Sequence, residues 1–223
     1  MRRKRVRVVP HNMFSEQEDQ INLAYLNMVK THFRSEFTKK SWFSEDKFIP
    51  PRIEFQHENR QVNAFAYENG DKKNRILLTG GTIAYFTQTE LMCIIAHELS
   101  HNYHKDFRNR NIISTLLFVL SVSVTLILAF KFSLLFLTLF PLLLIGLKYW
   151  VAQKSQAFEL RADQWMLKVD PAASVRVIEK LGQVSRPESP LMALFSTHPT
   201  CQKRLSALKS HIFELAIKNR ILR

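Results

Sequence analysis

The residues best suited to chemistry lie together in one mostly apolar stretch of the chain. His97, Glu98 and His101 form the pattern His-Glu-x-x-His. On a helix, residues four positions apart leave the same face, so both imidazoles can reach one Zn²⁺ at about 2.0–2.1 Å. Glu98 can take a proton from a water on the open side of that ion and pass it to a leaving amine. The pattern predicts a hydrolytic site with one Zn²⁺ per chain.

The pattern alone leaves a plain alternative, a helix that carries two surface histidines. With 8 histidines in 223 residues, random order produces His-Glu-x-x-His in roughly one or two chains per hundred. A third ligand would decide the matter. His104 and Phe107 occupy the positions where a metzincin has glycine and histidine, so that class is excluded. A carboxylate from a second helix is the remaining source of a third ligand.

The segment from Ser155 to Met166 reads as a helix with two carboxylates on one face. Glu159 is the candidate third ligand. Asp163, one turn later, is placed to bind the far nitrogen of a ligating histidine and fix its orientation. The alternative is a surface Glu159, with Asp163 paired to Arg161 or Lys168.

A long apolar block separates the two groups of candidate ligands. Residues 112–130 give 19 positions without a charge and, after Lys131, residues 132–147 give another 16. These lengths make helices of roughly 28 and 24 Å, against a hydrocarbon core of about 30 Å. The block predicts a transmembrane hairpin of two helices. A hairpin buried in a soluble core would instead need polar positions at helical spacing.

The charges around the block predict how it is oriented. Only Lys131 lies between the two apolar segments, whereas basic residues flank both outer ends: Lys105, Arg108 and Arg110 before the block, and Lys148, Lys154 and Arg161 after it. The positive-inside bias then puts both flanks in the cytoplasm. Two spans also return Glu159 to the compartment of the histidines, so topology and metal site agree. We expect an integral protein of a bacterial-type inner membrane whose catalytic part faces the cytoplasm.

Composition narrows the classes of partner. The chain has 32 basic and 19 acidic residues, a net charge of +13, which suits nucleic acid or anionic lipid. No nucleic-acid-binding motif accompanies this charge, so the lipid bilayer is the predicted partner and nucleic acid is not. A hydrophobic fraction of 46% excludes disordered and collagen-like chains. Cys93 and Cys201 make no disulfide framework and are expected to be free thiols, and the basic N-terminus lacks the apolar core of a signal peptide.

Local patterns outside the block predict the elements that position the site. An amphipathic helix is capped by Ser15–Glu18 and runs to about Phe37, and strands follow at Arg52–Gln56, Gln61–Tyr67 and Arg75–Thr79, with a turn at Asn69-Gly70. A capping box at Thr87–Glu90 begins the helix that carries the His-Glu-x-x-His motif. A further helix lies between Asp170-Pro171 and Gly182, and a last helix begins at Pro199. The predicted fold is α+β and mainly helical, a zincin-like domain with a small sheet and an inserted hairpin. Its regions are residues 1–45 (basic N-terminus and amphipathic helix), 46–110 (sheet and motif helix), 111–150 (transmembrane hairpin) and 151–223 (third-ligand helix and C-terminal helices).

Four ordered motifs within roughly residues 60 to 210 resemble the HtpX-like membrane zinc metalloproteases, relatives of the CAAX prenyl endopeptidase. The motifs are Asn63-Ala-Phe-Ala66, His97-Glu-Leu-Ser-His101, Glu159-x-x-x-Asp163, and Ser196-Thr-His198-Pro followed by Arg204. The resemblance implies a gluzincin fold with membrane helices between the two ligand helices. It also implies polypeptide substrates cut beside or within the membrane, zinc ligation by His97, His101 and Glu159, and catalysis by Glu98.

The resemblance assigns further residues to the substrate. It implies that Asn63, Ala64, Phe65 and Ala66 form an edge strand that pairs with substrate backbone. It places His198 and Arg204 near the metal, where they would stabilise the oxyanion or contact the substrate carbonyl; their positions alone would equally suit surface residues. Thr200 departs from the family pattern, which continues with a second proline after His198-Pro.

Two functions follow from these patterns. The first is a membrane-anchored zinc endopeptidase that cleaves misfolded or membrane-associated polypeptides in membrane protein quality control. The alternative is a catalytically inactive membrane adaptor in which zinc only joins the two halves of the chain.

Overall fold

The computed structural model describes residues 11–36, 50–68, 74–185 and 189–221. In chain order the elements are α1 (His11–Met28), which continues as a π-helical turn (Val29–Phe33); strands β1 (Arg52–Gln56), β2 (Ala64–Glu68) and β3 (Asn74–Thr79); α2 (Gly80–Tyr85), α3 (Gln88–His104) and α4 (Asp106–Lys131); a 3-10 turn (Leu134–Thr138); and α5 (Leu139–Leu167), α6 (Pro171–Val184), α7 (Pro190–Phe195) and α8 (Cys201–Ile221). The predicted combination of many helices with a small sheet is confirmed.

The sheet has the strand order β1-β3-β2, so β2 lies at an edge. Strand β1 runs parallel to β3, and β2 runs antiparallel to it with Ala66 opposite Ile76. Strand β2 begins at Ala64, three residues later than predicted. The backbone of Asn63, just before it, binds the hydroxyl of Thr82 and accepts a hydrogen bond from the backbone N–H of Thr79. The turn predicted at Asn69-Gly70 and the basic residues of positions 1–10 lie outside the described residues.

Helix α1 packs on the domain through the apolar face that its spacing predicts. Its inward positions are buried: Ile21, Tyr25, Met28, Val29 and Phe33. The predicted cap at Ser15 is wrong, because the helix already begins at His11. Glu18, the other half of that proposed capping box, instead lies 2.5 Å from Nε2 of His57. The predicted end near Phe37 falls outside the described residues.

Helix α3 is the centre of the core, and its capping box forms as predicted. Thr87 accepts a hydrogen bond from the backbone N–H of Glu90, and the Glu90 carboxylate accepts one from the backbone N–H of Thr87. All residues from Glu90 to Ser100 are buried. At about 1.5–3 kcal/mol for each large apolar side chain removed from water, this helix anchors the domain. It therefore offers a rigid base for the histidines at its end.

Within the described part of the chain, α4 is the one helix long and apolar enough to cross a membrane, judged by its length of 26 residues and its composition. Large apolar side chains point away from the protein along it, as Phe130 (94% exposed) and Leu116 (64%) illustrate. The second predicted span is not one helix. A 3-10 turn occupies its first part, and α5 starts at Leu139, where Pro141 fits the first helical turn.

The two-helix transmembrane hairpin is therefore not confirmed as predicted, although the chain does turn back on itself. The rings of Phe118 in α4 and Phe140 in α5 lie 6.4 Å apart, so the two apolar segments pack side by side. Helix α5 then continues without a break to Leu167. One helix thus carries apolar residues at its start and the predicted third ligand near its end.

The C-terminal helices differ from prediction at two ends. Helix α6 begins at Pro171 after the predicted cap, with the Asp170 carboxylate accepting a hydrogen bond from the backbone N–H of Ala173 (2.7 Å). It runs past Gly182 to Val184. Gly182 instead allows α6 and α8 to approach closely, since an added Cβ would lie 3.4 Å from Cβ of Cys201 in α8.

Helix α8 begins at Cys201 and not at Pro199, because the hydroxyl of Thr200 caps it by accepting a hydrogen bond from the backbone N–H of Lys203. Cys93 and Cys201 are free, as predicted.

Candidate metal and active site

Three side chains from α3 and α5 converge on one point. Nε2 of His97 and Nε2 of His101 lie 3.2 Å apart. The carboxylate oxygens of Glu159 lie 3.3 Å from the first and 3.5 Å from the second. Ligands bound tetrahedrally to zinc at about 2.0–2.1 Å are spaced by roughly 3.3–3.4 Å. The donor types and their spacing therefore fit one Zn²⁺.

Each histidine is oriented by a buried carboxylate on its other nitrogen. Nδ1 of His97 lies 3.0 Å from Oδ1 of Asp163. Nδ1 of His101 lies 3.0 Å from Oδ2 of Asp106. A carboxylate can only accept, so Nδ1 carries the proton in both rings and the Nε2 lone pairs point at the common centre. Both imidazoles thus present the nitrogen that a metal needs.

Two arginines neutralise the negative charges of the carboxylates that orient the histidines. Arg204 binds Asp163 through two hydrogen bonds, from Nε to Oδ2 (2.8 Å) and from Nη2 to Oδ1 (2.5 Å). Arg161 binds Asp106 in the same role. The alternative considered from the sequence, a pair between Asp163 and Arg161 or Lys168, is not formed, because Lys168 pairs with Glu36.

Asp106 is a site residue that sequence reasoning missed. It reaches His101 because Lys105, between α3 and α4, adopts a left-handed conformation (φ 55°, ψ 40°) that turns the chain sharply. Residues other than glycine seldom adopt this conformation. The available signal was weak: an acidic residue at the start of a helix, five positions after the second histidine.

The electrostatics of the cluster favour positive charge at its centre. Burial lowers the pKa of His97, but contacts with Asp163 and Glu159 outweigh it and raise that pKa to about 10. For Glu159, burial raises the pKa, but the contacts with His198 and then His97 outweigh burial and hold the pKa well below its usual range. The carboxylates thus stabilise a cation at this point, either a proton on His97 or a metal ion that replaces it.

Glu98 points into the same site but is not one of the converging ligands. Glu98 as a whole is 8% exposed, and its carboxylate accepts a hydrogen bond from the backbone N–H of Ala66 (2.7 Å). Burial raises the pKa of Glu98, an effect that outweighs the nearby histidines. The candidate general base is therefore tied directly to the edge strand β2.

Strand β2 is positioned by two hydroxyls, that of Thr79 at the end of β3 and that of Thr82 in α2. Thr82 accepts a hydrogen bond from the backbone N–H of Asn63 (2.7 Å), and Thr79 donates to the backbone oxygens of Gln61 (2.6 Å) or Asn63 (2.8 Å). Gly81 lets the preceding loop approach, since a Cβ there would lie 2.3 Å from the backbone oxygen of Arg60. Sequence reasoning missed these residues, although the pattern Thr-Gly-Gly-Thr after a strand was visible.

The remaining residues predicted for the site occupy different positions. The side chain of Asn63 is exposed, and Phe65 is 42% exposed on β2. Nδ1 of His198 lies 3.1 Å from a carboxylate oxygen of Glu159, with 71% of its side chain exposed. Arg204 has 11% of its side chain exposed and binds Asp163. Both residues line the same cavity, His198 as the more exposed of the two.

These groups share one open cavity of about 320 Å³. The candidate ligands and Glu98 lie at its floor. Residues 62–66 form one wall, and apolar side chains extend it between α3 and α6, among them Ile94, Val177 and Leu181. A peptide in extended conformation could lie along β2 and pass over the paired histidines.

Comparisons with known proteins agree with this arrangement. A protein named "Protease HtpX homolog" from Thermoanaerobacter pseudethanolicus is 22% identical over 236 residues, which cover 87% of this chain and 79% of that protein. Another "Protease HtpX homolog", from Acidiphilium cryptum, is 37% identical over 67 residues, which cover 30% of this chain and 23% of that protein.

The fold resembles the crystal structure of S. mikatae Ste24p, with a TM-score of 0.53, 18% sequence identity and coverage of 88% of this chain. The similarity spans only 56% of the Ste24p chain, and it concerns the fold. Residues 34–212 match the family model described as "Peptidase family M48". Because that match covers most of the sequence, this chain belongs to peptidase family M48, as an HtpX-like metallopeptidase.

Proposed function

We propose that this chain is a membrane-anchored, zinc-dependent endopeptidase that cleaves misfolded or membrane-associated polypeptides. The observation that carries the proposal is the convergence of His97 Nε2, His101 Nε2 and the Glu159 carboxylate at separations of 3.2–3.5 Å. These three residues would hold one Zn²⁺, which would polarise the scissile carbonyl and the attacking water.

Glu98 is the proposed general base. Its carboxylate lies beside the candidate ligands without joining them, and its raised pKa brings it closer to the working pH of a proton carrier. It would take a proton from the attacking water and then deliver it to the leaving amine. The hydrogen bond from the backbone N–H of Ala66 fixes the position of the Glu98 carboxylate.

Strand β2 is the proposed binding site for the substrate backbone. The N–H of Ala66 points away from β3 towards Glu98, so the free edge of β2 faces the candidate metal site. An extended peptide that adds to this edge would exchange main-chain hydrogen bonds with Ala64 and would donate one to the backbone oxygen of Ala66, whose N–H is already bound to Glu98. Such pairing recognises backbone, which suits an enzyme that acts on many unfolded sequences. The exposed side chains of Asn63 and Phe65 would contact the substrate.

His198 and Arg204 are given different roles. The exposed imidazole of His198 stands beside Glu159 on the open side, where it could stabilise negative charge on the substrate carbonyl oxygen. Arg204 acts through Asp163, by fixing the carboxylate that orients His97. Arg204 is therefore a positioning residue in this proposal.

Helix α4 would anchor the enzyme in a membrane. Its composition and its exposed apolar side chains support insertion, and the flanking basic residues favour a cytoplasmic catalytic domain. We place the activity in the turnover of membrane proteins at a bacterial-type inner membrane.

The test pairs zinc analysis with hydrolysis of casein by the full-length protein. Glu98→Gln should keep about one zinc per chain and lose hydrolysis by about 10²- to 10⁴-fold, because the amide keeps the shape but cannot accept the proton. The matched control is Glu179→Gln, an exposed carboxylate on α6, which should behave like wild type. Unchanged hydrolysis by Glu98→Gln would remove Glu98 from the mechanism. A zinc-loaded wild type that cuts no polypeptide, yet unfolds on chelation, would favour a structural zinc.

A further inference from the structure

Helix α7 and the start of α5 form an exposed apolar surface beside the candidate membrane helix. We call it the α7 surface and define it by Tyr149 and Trp150 of α5 and by Met192, Leu194 and Phe195 of α7. Met192 is 69% exposed, Leu194 47%, Tyr149 44% and Trp150 39%. Removal of such apolar side chains from water is favourable. A cluster of this kind marks a contact site.

Several contacts hold α7 against α5 at this place. The side-chain amide of Gln156 donates to the backbone oxygens of Ala193 (3.2 Å) and Ser196 (3.0 Å). The rings of Tyr149 and Phe195 lie 6.2 Å apart. The short helix is therefore fixed along residues 148–156, directly after the apolar stretch that ends at position 147.

Three cations lie near this surface, Arg110 on α4 and Lys148 and Lys154 on α5. The rings of Phe118 in α4 and Phe140 in α5 are 6.4 Å apart. Arg110 lies eight residues before Phe118 and Lys148 eight residues after Phe140, so both lie towards the same end of this antiparallel pair. Nζ of Lys148 lies 5.9 Å from the ring centroid of Phe195, and Nζ of Lys154 lies 5.4 Å from that of Trp150. Aromatic side chains combined with lysine and arginine at the end of an apolar helix are typical of the membrane–water interface.

We propose that the α7 surface is a second membrane contact, which rests on anionic phospholipid beside α4. Met192 and Leu194 rest on the headgroup region together with Tyr149 and Trp150, which lie nearer to the apolar stretch of α5. Arg110, Lys148 and Lys154 meet the lipid phosphates. Continuity with α4 and the sign of the charge select lipid as the occupant. The inference rests on the proposed membrane insertion of α4.

This contact would set the distance between the catalytic cleft and the hydrocarbon core of the bilayer. Glu159 follows Lys148 by eleven positions on the same helix, a distance of about 16 Å along its axis. The headgroup region on one side of a bilayer is about 5–8 Å thick. The cleft is thus held in water, just above the headgroups, and α7 keeps it from tilting.

The experiment measures lipid and water exposure of single spin labels on the full-length protein, reconstituted in vesicles of phosphatidylethanolamine and phosphatidylglycerol. Cysteines replace Met192 or Leu194 in a Cys201→Ser background. Cys93 is left in place, since burial raises its pKa to about 11 and keeps it from reacting. A label at Leu120 of α4 (58% exposed) reports membrane insertion, and a label at Glu179 of α6 reports water.

We expect the collision rates of the labels at 192 and 194 with oxygen and with the aqueous relaxant to fall between those of the Leu120 and Glu179 labels, as for a position among the headgroups. If they match the Glu179 label, the surface faces water and the inference is wrong. If both reagents are excluded, protein covers the surface and the inference is also wrong. If instead the Leu120 label behaves like the Glu179 label, membrane insertion itself fails, which separates an error in the proposed function from one in this inference.

Discussion

Asp163 is held by Arg204 in a buried pair with two hydrogen bonds, and the same carboxylate lies 3.0 Å from Nδ1 of His97. Helix α8 is therefore connected through one acidic residue to a candidate ligand on α3. The resemblance of the sequence to known proteases places Arg204 at the substrate. In the structure Arg204 binds Asp163 and also lines the candidate active-site cavity, and the contact with Asp163 connects it to the metal site.

Two roles of Arg204 can be distinguished by experiment, action on the metal site through Asp163 and direct action on the substrate. Arg204→Met leaves a buried, unpaired carboxylate, so we expect a loss of about 3–5 kcal/mol in the free energy of unfolding. Asp163→Asn should weaken zinc affinity by about 10- to 100-fold, because the orienting acceptor is lost. Chelator competition and unfolding of the zinc-loaded protein measure both effects. If Arg204→Met lowers only kcat, with stability and zinc affinity unchanged, Arg204 acts on the substrate directly.

The carboxylate of Glu90 links α3 to α6. It is 1% exposed, and Nζ of Lys180 lies 2.6 Å from it. Burial raises the pKa of Glu90, but the contacts with Lys180 and Thr87 outweigh it and lower the pKa. Because the folded-state pKa lies below the unfolded one, this stabilisation is complete above the unfolded value of about 4.3 and is lost as the pH falls through the folded value.

We therefore expect Glu90→Gln to destabilise the protein by about 1.5–3 kcal/mol near neutral pH, because a charged hydrogen bond is lost. The difference from wild type should shrink as the pH falls below about 4.3. Unfolding in denaturant across this pH range measures it. A constant difference at all pH values, or none, would show that the charge of Glu90 is irrelevant.

Gly81 tests how the loop before β2 supports the substrate strand. In Gly81→Ala, the new Cβ would lie 2.3 Å from the backbone oxygen of Arg60, so the loop and Asn63 must move. We expect a raised KM for peptide substrates with an unchanged zinc content. Gly146→Ala is the matched control. A Cβ there meets nothing within 4 Å among the described residues, and alanine favours a helix by about 0.5–1 kcal/mol. Equal kinetics in the two variants would exclude a role for this loop in substrate binding.

The height of the cleft predicts where membrane-anchored substrates are cut. An extended chain advances about 3.3 Å per residue, so about five residues are needed to climb the 16 Å from the hydrocarbon edge to Glu159. Reporters with one transmembrane segment and a flexible tail should be cleaved about five or more residues outside that segment. Mass spectrometry of the products locates the cuts. Cleavage inside the transmembrane segment would contradict a cleft held above the headgroups.

The sequence was sufficient for those parts of the site that depend on local spacing. The four-residue interval of His97 and His101, the capping box at Thr87 and the proline start of α6 each follow from the geometry of a single helix. The edge strand at Ala64–Glu68 followed from its β-forming residues, although its first residue did not.

What the sequence could not predict depends on contacts between distant segments or on rare backbone conformations. Asp106 reaches His101 through the left-handed turn at Lys105, which no local preference favours for lysine. The backbone of Asn63 is bound by Thr82 from another element. The second apolar segment reads as one continuous span, yet α5 begins only at Leu139. Composition alone does not fix where such a helix starts.

The most direct test of the account is the position of zinc. Crystals of the zinc-loaded protein, measured on both sides of the zinc absorption edge, should give one anomalous peak about 2.0–2.2 Å from His97 Nε2, His101 Nε2 and a carboxylate oxygen of Glu159. A peak bound by other residues, or one with the Glu159 side chain turned away from the paired imidazoles, would contradict the account.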